Sequence, residues 1–368
     1  MFDNLFGIKE DWVVFFDMFS KNGNGDSTRP LAEELKKRRP DMKFFFCCNK
    51  KNMLSHIDMA DEILVEKTLR FKYVCSRAKY IISPMGFPNK GKKRKGQVFV
   101  QTWHGNALKK TYLARDKNNH KFKKYAKQFE NTDLFLLQGD KTRECMKEVF
   151  DLKDSMLFES GFPRNDILFN ATEEFKNDLR KQLGLPEGKK VIFYCPTWRS
   201  GNYKAYLPFN LKKFKEVLGK DYVMLIRSHV GKHKWVDANG NLINIFDNEF
   251  SFDGGWYPEA THLYLISDIF ISDYSSAIYD FAVTKKPEIL YIYDADEYTK
   301  EFGLFFDIRH FTPFPKAENE QELLDAILNL NINQEEYDKF LKDYCTYEDG
   351  HASEKVIDAM IKIGDGRK

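Results

Sequence analysis

The chain has 368 residues, 42% hydrophobic and 15% aromatic, with 33 Phe, and 58 Lys plus Arg against 55 Asp plus Glu. That length exceeds one ordinary core and predicts two domains, while the apolar and aromatic content excludes wholesale disorder. The net charge of +3 by itself gives no ground for an anionic partner.

Short apolar runs alternate with longer amphipathic segments, the pattern of parallel sheets covered by helices, so the fold class is α/β. Strands are expected near Trp12–Phe16, Lys43–Cys48, Glu62–Val65, Tyr80–Ser83, Gln97–Trp103 and Asp133–Gln138. A second series runs through Lys190–Cys195, Tyr222–Arg227, Ile269–Ser272 and Glu288–Ile292. Between the series, Ser160-Gly161-Phe162-Pro163-Arg164-Asn165-Asp166 gathers turn-forming residues where a hinge would fall, with Pro163, Arg164, Asn165 and Asp166 at its centre. The economical reading is two Rossmann-like domains facing across a cleft, spanning 1–158 and 159–350. The closing segment, 351–368, reads as a helix crossing back to the first domain.

No apolar run approaches the roughly 20 residues of a membrane span. The opening Met1–Gly7 lacks a basic segment followed by an apolar core, so a cytoplasmic place, or attachment to the inner membrane face, is expected. The six cysteines are scattered without a Cys-x-x-Cys pair and read as reduced core residues.

Two strands run into histidine, one at His104-Gly105-Asn106 and one at Ser228-His229. Ligands of open parallel sheets bind at the carboxyl ends of strands, so each imidazole is a candidate general base or phosphate partner, against the plainer role of a hydrogen-bonded structural histidine. His229 and His233 have metal-pair spacing, but Gly231 argues against a helix presenting both, and no zinc site is expected. The segment Ser272-Asp273-Tyr274-Ser275-Ser276 joins a strand to a helix, so backbone N–H groups, two hydroxyls and the positive helix end converge as a phosphate cradle; the plainer role of Ser275 is an N-cap. Arg199, after Pro196-Thr197-Trp198, and Arg227, beside His229, suit bidentate phosphate binding. Asn22-Gly23-Asn24-Gly25-Asp26-Ser27 resembles a phosphate loop without the third glycine of a dinucleotide fingerprint. Asp294 and Asp296 have the spacing of a metal pair and are read as structural.

Together these stretches resemble the CDP-glycerol glycerophosphotransferase family, the primases and polymerases of bacterial teichoic acids and related capsule polymers. The matching segments are Trp103-His104-Gly105 with Leu108-Lys109-Lys110, Gly161-Phe162-Pro163-Arg164-Asn165-Asp166, Pro196-Thr197-Trp198-Arg199, Arg227-Ser228-His229, Ser272 to Ser276 with Asp280-Phe281, Lys286-Pro287, and Asp349-Gly350-His351-Ala352-Ser353. They occur in the family's order, with Val230 where proline is common and Asn106 where a small hydroxyl residue is common. The resemblance implies a GT-B fold, a carboxyl-terminal domain holding a CDP-polyol donor and an amino-terminal domain meeting a prenyl-diphosphate-linked saccharide or polyol-phosphate acceptor. Glycerol phosphate would pass from CDP-glycerol to an acceptor hydroxyl, releasing CMP. His104 would take the hydroxyl proton, with Gly105, Asn106, Lys109 and Lys110 as acceptor contacts. His229, Arg199 and Arg227 would offset charge on the diphosphate, held by Thr197, Asp273, Ser275 and Ser276. No cofactor or metal is expected to be required.

Three other readings carry different chemistry: the same transfer from CDP-ribitol, a GT-B nucleotide-sugar glycosyltransferase attacking carbon, and a non-catalytic basic adaptor for nucleic acid or membrane. The last leaves the paired histidines and the serine-rich helix start without a role, so no nucleic-acid partner is expected. The charge is nevertheless uneven. Residues 89–127 hold 13 Lys plus Arg and one acid, a net +12, and the remainder carries −9. Beside His104 this basic stretch suits an anionic membrane surface, with Lys92, Lys93, Lys121 and Lys124 as contacts and a peripheral place on the cytoplasmic face.

Overall fold

The computed structural model of the chain describes residues 6–16, 26–48, 58–87, 93–110, 122–123, 126–197, 199, 205–228, 235–236 and 241–367. They form two units: Met1–Ala107, Thr111–Asp166 and Asp343–Lys368 make the first, and Leu108–Lys110 with Ile167–Lys342 the second.

In the first unit β1 (Lys9–Phe16), β2 (Lys43–Cys48), β3 (Glu62–Val65), β4 (Ala78–Ser83), β5 (Val98–Gln101), β6 (Leu134–Leu137) and β7 (Leu157–Glu159) pair in parallel in the order β3-β2-β1-β4-β5-β6-β7. The strands are apolar at successive positions because both faces are covered. Val13 and Phe15 pack with Phe44, Phe46, Leu31 and Met360 on one face, while Val14 and Phe16 pack with Phe45, Cys47, Phe71 and Val74 on the other. The strand expected over Gln97–Trp103 stops at Gln101. Thr102 N–H still reaches Ser83 carbonyl at 3.0 Å, but Trp103 then turns left-handed, with φ +52°.

The unit runs past residue 158 because β7 completes its sheet and the turn Pro163–Asn165 is buried, packing against the helices Thr28–Arg38 and Ala352–Asp365. It takes up the chain again at Asp343. Tyr347 N–H bonds Gln138 carbonyl at 3.1 Å, and Val356, Ile357 and Met360 of the helix Ala352–Asp365 enter the core around β1.

In the second unit β8 (Lys190–Tyr194), β10 (Tyr222–Ile226), β13 (Ser251–Asp253), β14 (Ile269–Ser272), β15 (Glu288–Tyr291) and β16 (Lys316–Ala317) pair in parallel in the order β13-β10-β8-β14-β15-β16. The short strands β9 (Ala205–Tyr206), β11 (Trp235–Val236) and β12 (Leu242–Ile243) form a separate three-stranded sheet. All six cysteines are free, four of them buried. Among the described residues no helix is long and apolar enough to cross a membrane.

Candidate active site

In the first unit the loop after β5 is built around Gln101. Its Oε1 accepts Trp103 N–H at 2.8 Å and its amide donates to Met85 carbonyl, which holds the left-handed turn at Trp103. A positive φ at a bulky residue costs about 1 kcal/mol or more, so the surrounding bonds must over-determine it. The indole packs edge-on against Phe150 at 4.4 Å, and the His104 ring lies on the indole at 3.8 Å with a 35° tilt. His104 is thus carried on a fixed aromatic platform at the carboxyl end of a parallel strand, where an imidazole can exchange a proton with a bound group. Gly105, with φ +149°, supplies the backbone that continues the turn. Asn106 is buried and engaged within its own unit. It donates to Gln138 Oε1 at 2.8 Å and Tyr344 carbonyl at 3.3 Å and accepts from Thr142 hydroxyl at 2.8 Å. Asn106 therefore tethers the His104 loop to β6 and the returning chain.

The segment from Gly161 to Asp166 and the one from Tyr347 to Ser353 bind each other. Phe162 N–H and Asn165 Nδ2 donate to Glu348 Oε1 at 3.1 and 2.8 Å. Gly161 has φ +80°, and a Cβ there would lie 2.8 Å from Tyr347 carbonyl, so glycine is required on both counts. The helix Ala352–Asp365 receives no side-chain cap from His351; instead Asp166 accepts Ala352 and Ser353 N–H groups at 2.8 Å each. A cap of this kind is worth about 1 kcal/mol. Burial pushes the Asp166 carboxyl up despite these bonds. Arg164 is buried, pairs with Asp26 at 3.0 Å and lies over the Phe162 ring at 4.5 Å. The four residues expected at a hinge, Pro163 to Asp166, are consequently fastened inside the first unit, and the chain passes to the second only after them.

In the second unit the ends of β8, β14 and β15 converge on Arg199. Its Nε and Nη2 donate to Asp294 Oδ2 and Oδ1 at 2.7 and 2.9 Å, Nη2 also lies 3.0 Å from Asp273 Oδ2, and Nη1 donates to Thr197 carbonyl at 2.7 Å. The guanidinium sits 4.8 to 5.4 Å from the ring centres of Tyr274, Tyr293 and Tyr298. Asp273 Oδ1 accepts the N–H groups of Tyr274 (2.7 Å) and Thr197 (2.8 Å) and the Thr197 hydroxyl. Tyr274 hydroxyl donates to Asp294 at 3.0 Å. Burial disfavours the Arg199 charge, but Asp273 and the Asp294 hydrogen bonds outweigh it and its pKa lies above the ordinary value. Arg199, expected at phosphate, is engaged by two carboxylates.

The other expected phosphate ligands divide. Ser275 Oγ accepts Ala277 N–H at 3.2 Å, the plainer capping role, and the helix it opens, Ala277–Ala282, has only six residues. Ser276 makes no side-chain cap bond, and both serines are half-buried. Arg227 donates from Nη1 to the carbonyls of Gly254, at 2.9 Å, and Tyr257, and from Nη2 to Pro258 carbonyl at 3.1 Å. His229 lies outside the described residues. Asp294 and Asp296 face different arginines, the second pairing with Arg309 at 3.0 Å.

The residues expected to meet an acceptor or a membrane also separate. Leu108–Lys110 belong to the second unit: Leu108 carbonyl accepts Phe305 N–H, and Lys110 N–H donates to Gly303 carbonyl, both at 3.0 Å. Lys109 is half-buried; burial lowers its pKa, Asp273 opposes that and Arg199 adds to it, which sets its charge near the Arg199 network. Lys110 lies over the Phe305 ring at 5.5 Å. Lys93 is half-buried in a triad, 2.5 Å from Asp133, which Arg367 also contacts at 2.6 Å. Its ammonium is therefore engaged by a carboxylate of its own unit; burial lowers its pKa and Asp133 opposes that. Lys92, Lys121 and Lys124, like Asn22–Gly25, Trp198 and His233, lie outside the described residues.

Sequence reasoning missed Gln101, Glu348 and Tyr298, none of which carries a motif signal.

The family model described as CDP-Glycerol:Poly(glycerophosphate) glycerophosphotransferase matches residues 2–362. The chain is 27% identical over 369 residues to the teichoic acid poly(glycerol phosphate) polymerase of Bacillus subtilis (strain 168), covering 95% of this chain and 48% of that protein. It is 28% identical over 373 residues to the teichoic acid glycerol-phosphate transferase of Staphylococcus aureus (strain NCTC 8325), covering 95% and 93%. The chain therefore spans about half the first relative and nearly all of the second. The solved wall teichoic acid polymerase TagF superposes with a TM-score of 0.86 at 26% identity, over 98% of this chain and 90% of that one; a histidine-to-asparagine variant of TagF has been solved after a soak with CDPG.

Proposed function

The chain belongs to the CDP-glycerol:poly(glycerophosphate) glycerophosphotransferase family, and from that premise we propose that it moves glycerol phosphate from CDP-glycerol to a hydroxyl of a lipid-linked acceptor in teichoic acid synthesis, releasing CMP. The observation that carries this reading is His104, fixed on the Trp103 ring at the carboxyl end of β5. In the proposed step His104 takes the acceptor hydroxyl proton, and the oxygen forms a bond to the glycerol-bearing phosphorus. The bond from that phosphorus to the bridging oxygen breaks, and CMP departs with the electron pair. Arg199, already neutralised by Asp273 and Asp294, shapes the donor side as part of a fixed network. Cationic help to the departing phosphate is assigned to Lys109 and His229, with the Ser275 and Ser276 hydroxyls as donors.

Asp294 and Asp296 have their own arginine partners, which supports chemistry without a divalent ion. The acceptor is read as a prenyl-diphosphate-linked saccharide or its glycerol-phosphate-primed form, and the protein as peripheral to the inner membrane face through its basic stretch. Relatives named for ribitol phosphate also match, at 25% to 27% identity, so the test offers both donors.

Purified protein given CDP-glycerol or CDP-ribitol, each with the unprimed or primed acceptor and with chelator present, is expected to release CMP from CDP-glycerol. His104→Ala is expected to lower turnover at least a hundredfold while CDP-glycerol still binds. No CMP from either CDP-polyol, with turnover of a nucleotide sugar instead, refutes the reading; near-normal turnover of His104→Ala removes it as the base.

A further inference from the structure

Arg227 spends three hydrogen bonds on a single turn. Its guanidinium reaches the carbonyls of Gly254, Tyr257 and Pro258, and the turn is further fixed by Gly255 N–H donating to Asp253 Oδ1 at 2.7 Å and by Tyr257 hydroxyl at 2.9 Å from His262 Nδ1. Carbonyl bonds of this kind hold backbone without reading any ligand. What the turn carries outward is Trp256, 48% exposed, standing edge-on to the buried Tyr257 ring at 5.8 Å. Single exposed apolar residues are ordinary. A large ring on a turn clamped by an arginine is less so, because the clamp fixes the backbone from which the ring projects and lowers the ordering cost that a ligand would otherwise have to overcome.

The position of the turn supplies the second argument. It follows β13 directly, and β13, β10, β8, β14 and β15 are successive parallel neighbours in the sheet. Their carboxyl ends therefore form one edge. Along it stand, in order, Trp256 after β13, Arg227 after β10, Thr197 after β8, Asp273 and Ser275 after β14, and Asp294 after β15. Three strand spacings separate the Trp256 turn from the Ser275 turn, about 14 Å. That is comparable to the length of an extended nucleoside diphosphate, and ligands of such sheets lie along this edge.

We propose that Trp256 is the stacking platform for the pyrimidine ring of the donor nucleotide, with Arg227 as the positioning residue that fixes the platform; this rests on the CDP-glycerol reading. The ring meets the base face, and the diphosphate extends along the sheet edge toward Ser275. Arg227 thus serves the donor without contacting its phosphates, which accounts for a guanidinium turned wholly to carbonyl oxygens in its described bonds.

Calorimetric titration with CMP is the test, on the wild-type chain, Trp256→Ala and Trp256→Phe, with KM and kcat measured for CDP-glycerol. Trp256→Ala is expected to weaken CMP binding about tenfold, equivalent to about 1.4 kcal/mol. The same factor is expected in KM, with kcat within twofold and the melting temperature unchanged, since the side chain is exposed. Trp256→Phe, which keeps a stacking face, is expected to stay within threefold of wild type. Wild-type CMP affinity in Trp256→Ala overturns the proposal and leaves the donor reading standing. A wild-type chain that binds neither CMP nor CDP-glycerol overturns the donor reading and this proposal with it.

Discussion

Replacing Arg199 by methionine separates two accounts of the same residue. In the structure its guanidinium is the counter-charge of Asp273 and Asp294, whose side chains are 3% and 23% exposed. Methionine keeps much of the stem that packs among Tyr274, Tyr293 and Tyr298, so the change mainly strands two carboxylates. Removing one partner of a buried ion pair typically costs about 3 to 5 kcal/mol, because the remaining charge is left desolvated. For a unit of this size each kcal/mol lowers the melting temperature by about 2 to 4 °C, so the transition of the second unit is expected to fall by roughly 10 °C at pH 7.5. Adding Asp294→Asn to Arg199→Met is expected to recover at least half of the loss, because it removes one of the two stranded carboxylates. Scanning calorimetry, with KM for CDP-glycerol on the same samples, is the assay. A melting temperature within about 2 °C of wild type together with a raised KM refutes the argument and returns Arg199 to the ligand.

Three further expectations follow from charge and burial. Glu288 is 1% exposed, one of its oxygens has no hydrogen-bond partner among the described residues, and burial holds its carboxyl well above the ordinary range. A raised folded pKa contributes stability that is present below the unfolded pKa and lost as pH rises through the folded one, so the advantage of Glu288→Gln over wild type is expected to grow between pH 5 and pH 7 at up to about 1.4 kcal/mol per pH unit; urea unfolding that shows a constant gap refutes it. Charge reversal of Lys92, Lys121 and Lys124 together is expected to weaken sedimentation with phosphatidylglycerol vesicles at least tenfold. Lys93→Glu is expected instead to lower stability by about 3 kcal/mol or more, because it sets a second carboxylate against the buried Asp133; vesicle binding indifferent to the triple reversal removes the membrane reading.

Most of the sheet framework was legible because parallel strands buried on both faces are continuous apolar runs, as in Lys43–Cys48 and Ile269–Ser272, which the structure reproduces without change. The strands β9, β11, β12, β13 and β16 have two or three residues each and offer no periodicity to read. For the site, residue type and strand end were legible while direction was not. Arg199 and Arg227 do follow apolar strands, as the pattern indicated. Where their guanidinium groups point is decided by Asp294, 95 residues away, and by the carbonyls of a turn some 30 residues away. Lys93 belonged to a basic run whose composition indicates a surface, and its pairing with Asp133, a carboxylate shared with Arg367, is set by residues distant in sequence. The turn-formers of Gly161–Asp166 read as a hinge because local chemistry does not reveal that Glu348 and the start of the last helix will hold them.

These partnerships change how the motifs carry the proposed chemistry. Several of them are one another's structural partners: Asp166 caps the helix that follows Asp349-Gly350-His351, Asp273 and Thr197 tie the ends of β14 and β8, and Arg227 fixes the turn after β13. A motif residue of this kind is needed for the site without touching substrate, and its loss should appear in stability before it appears in chemistry. The groups left to act on a diphosphate are then fewer than the motifs suggest. Both described arginines enter already engaged with protein atoms, so in the proposed reaction the charge that grows on departing CMP falls to Lys109, His229 and hydroxyl donors. Lys109 suits that task because its backbone is fixed on both sides, Leu108 carbonyl accepting Phe305 N–H and Lys110 N–H donating to Gly303 carbonyl. A cation fixed in this way needs no reorganisation when the phosphate charge develops, which is the condition under which electrostatic help lowers a barrier most.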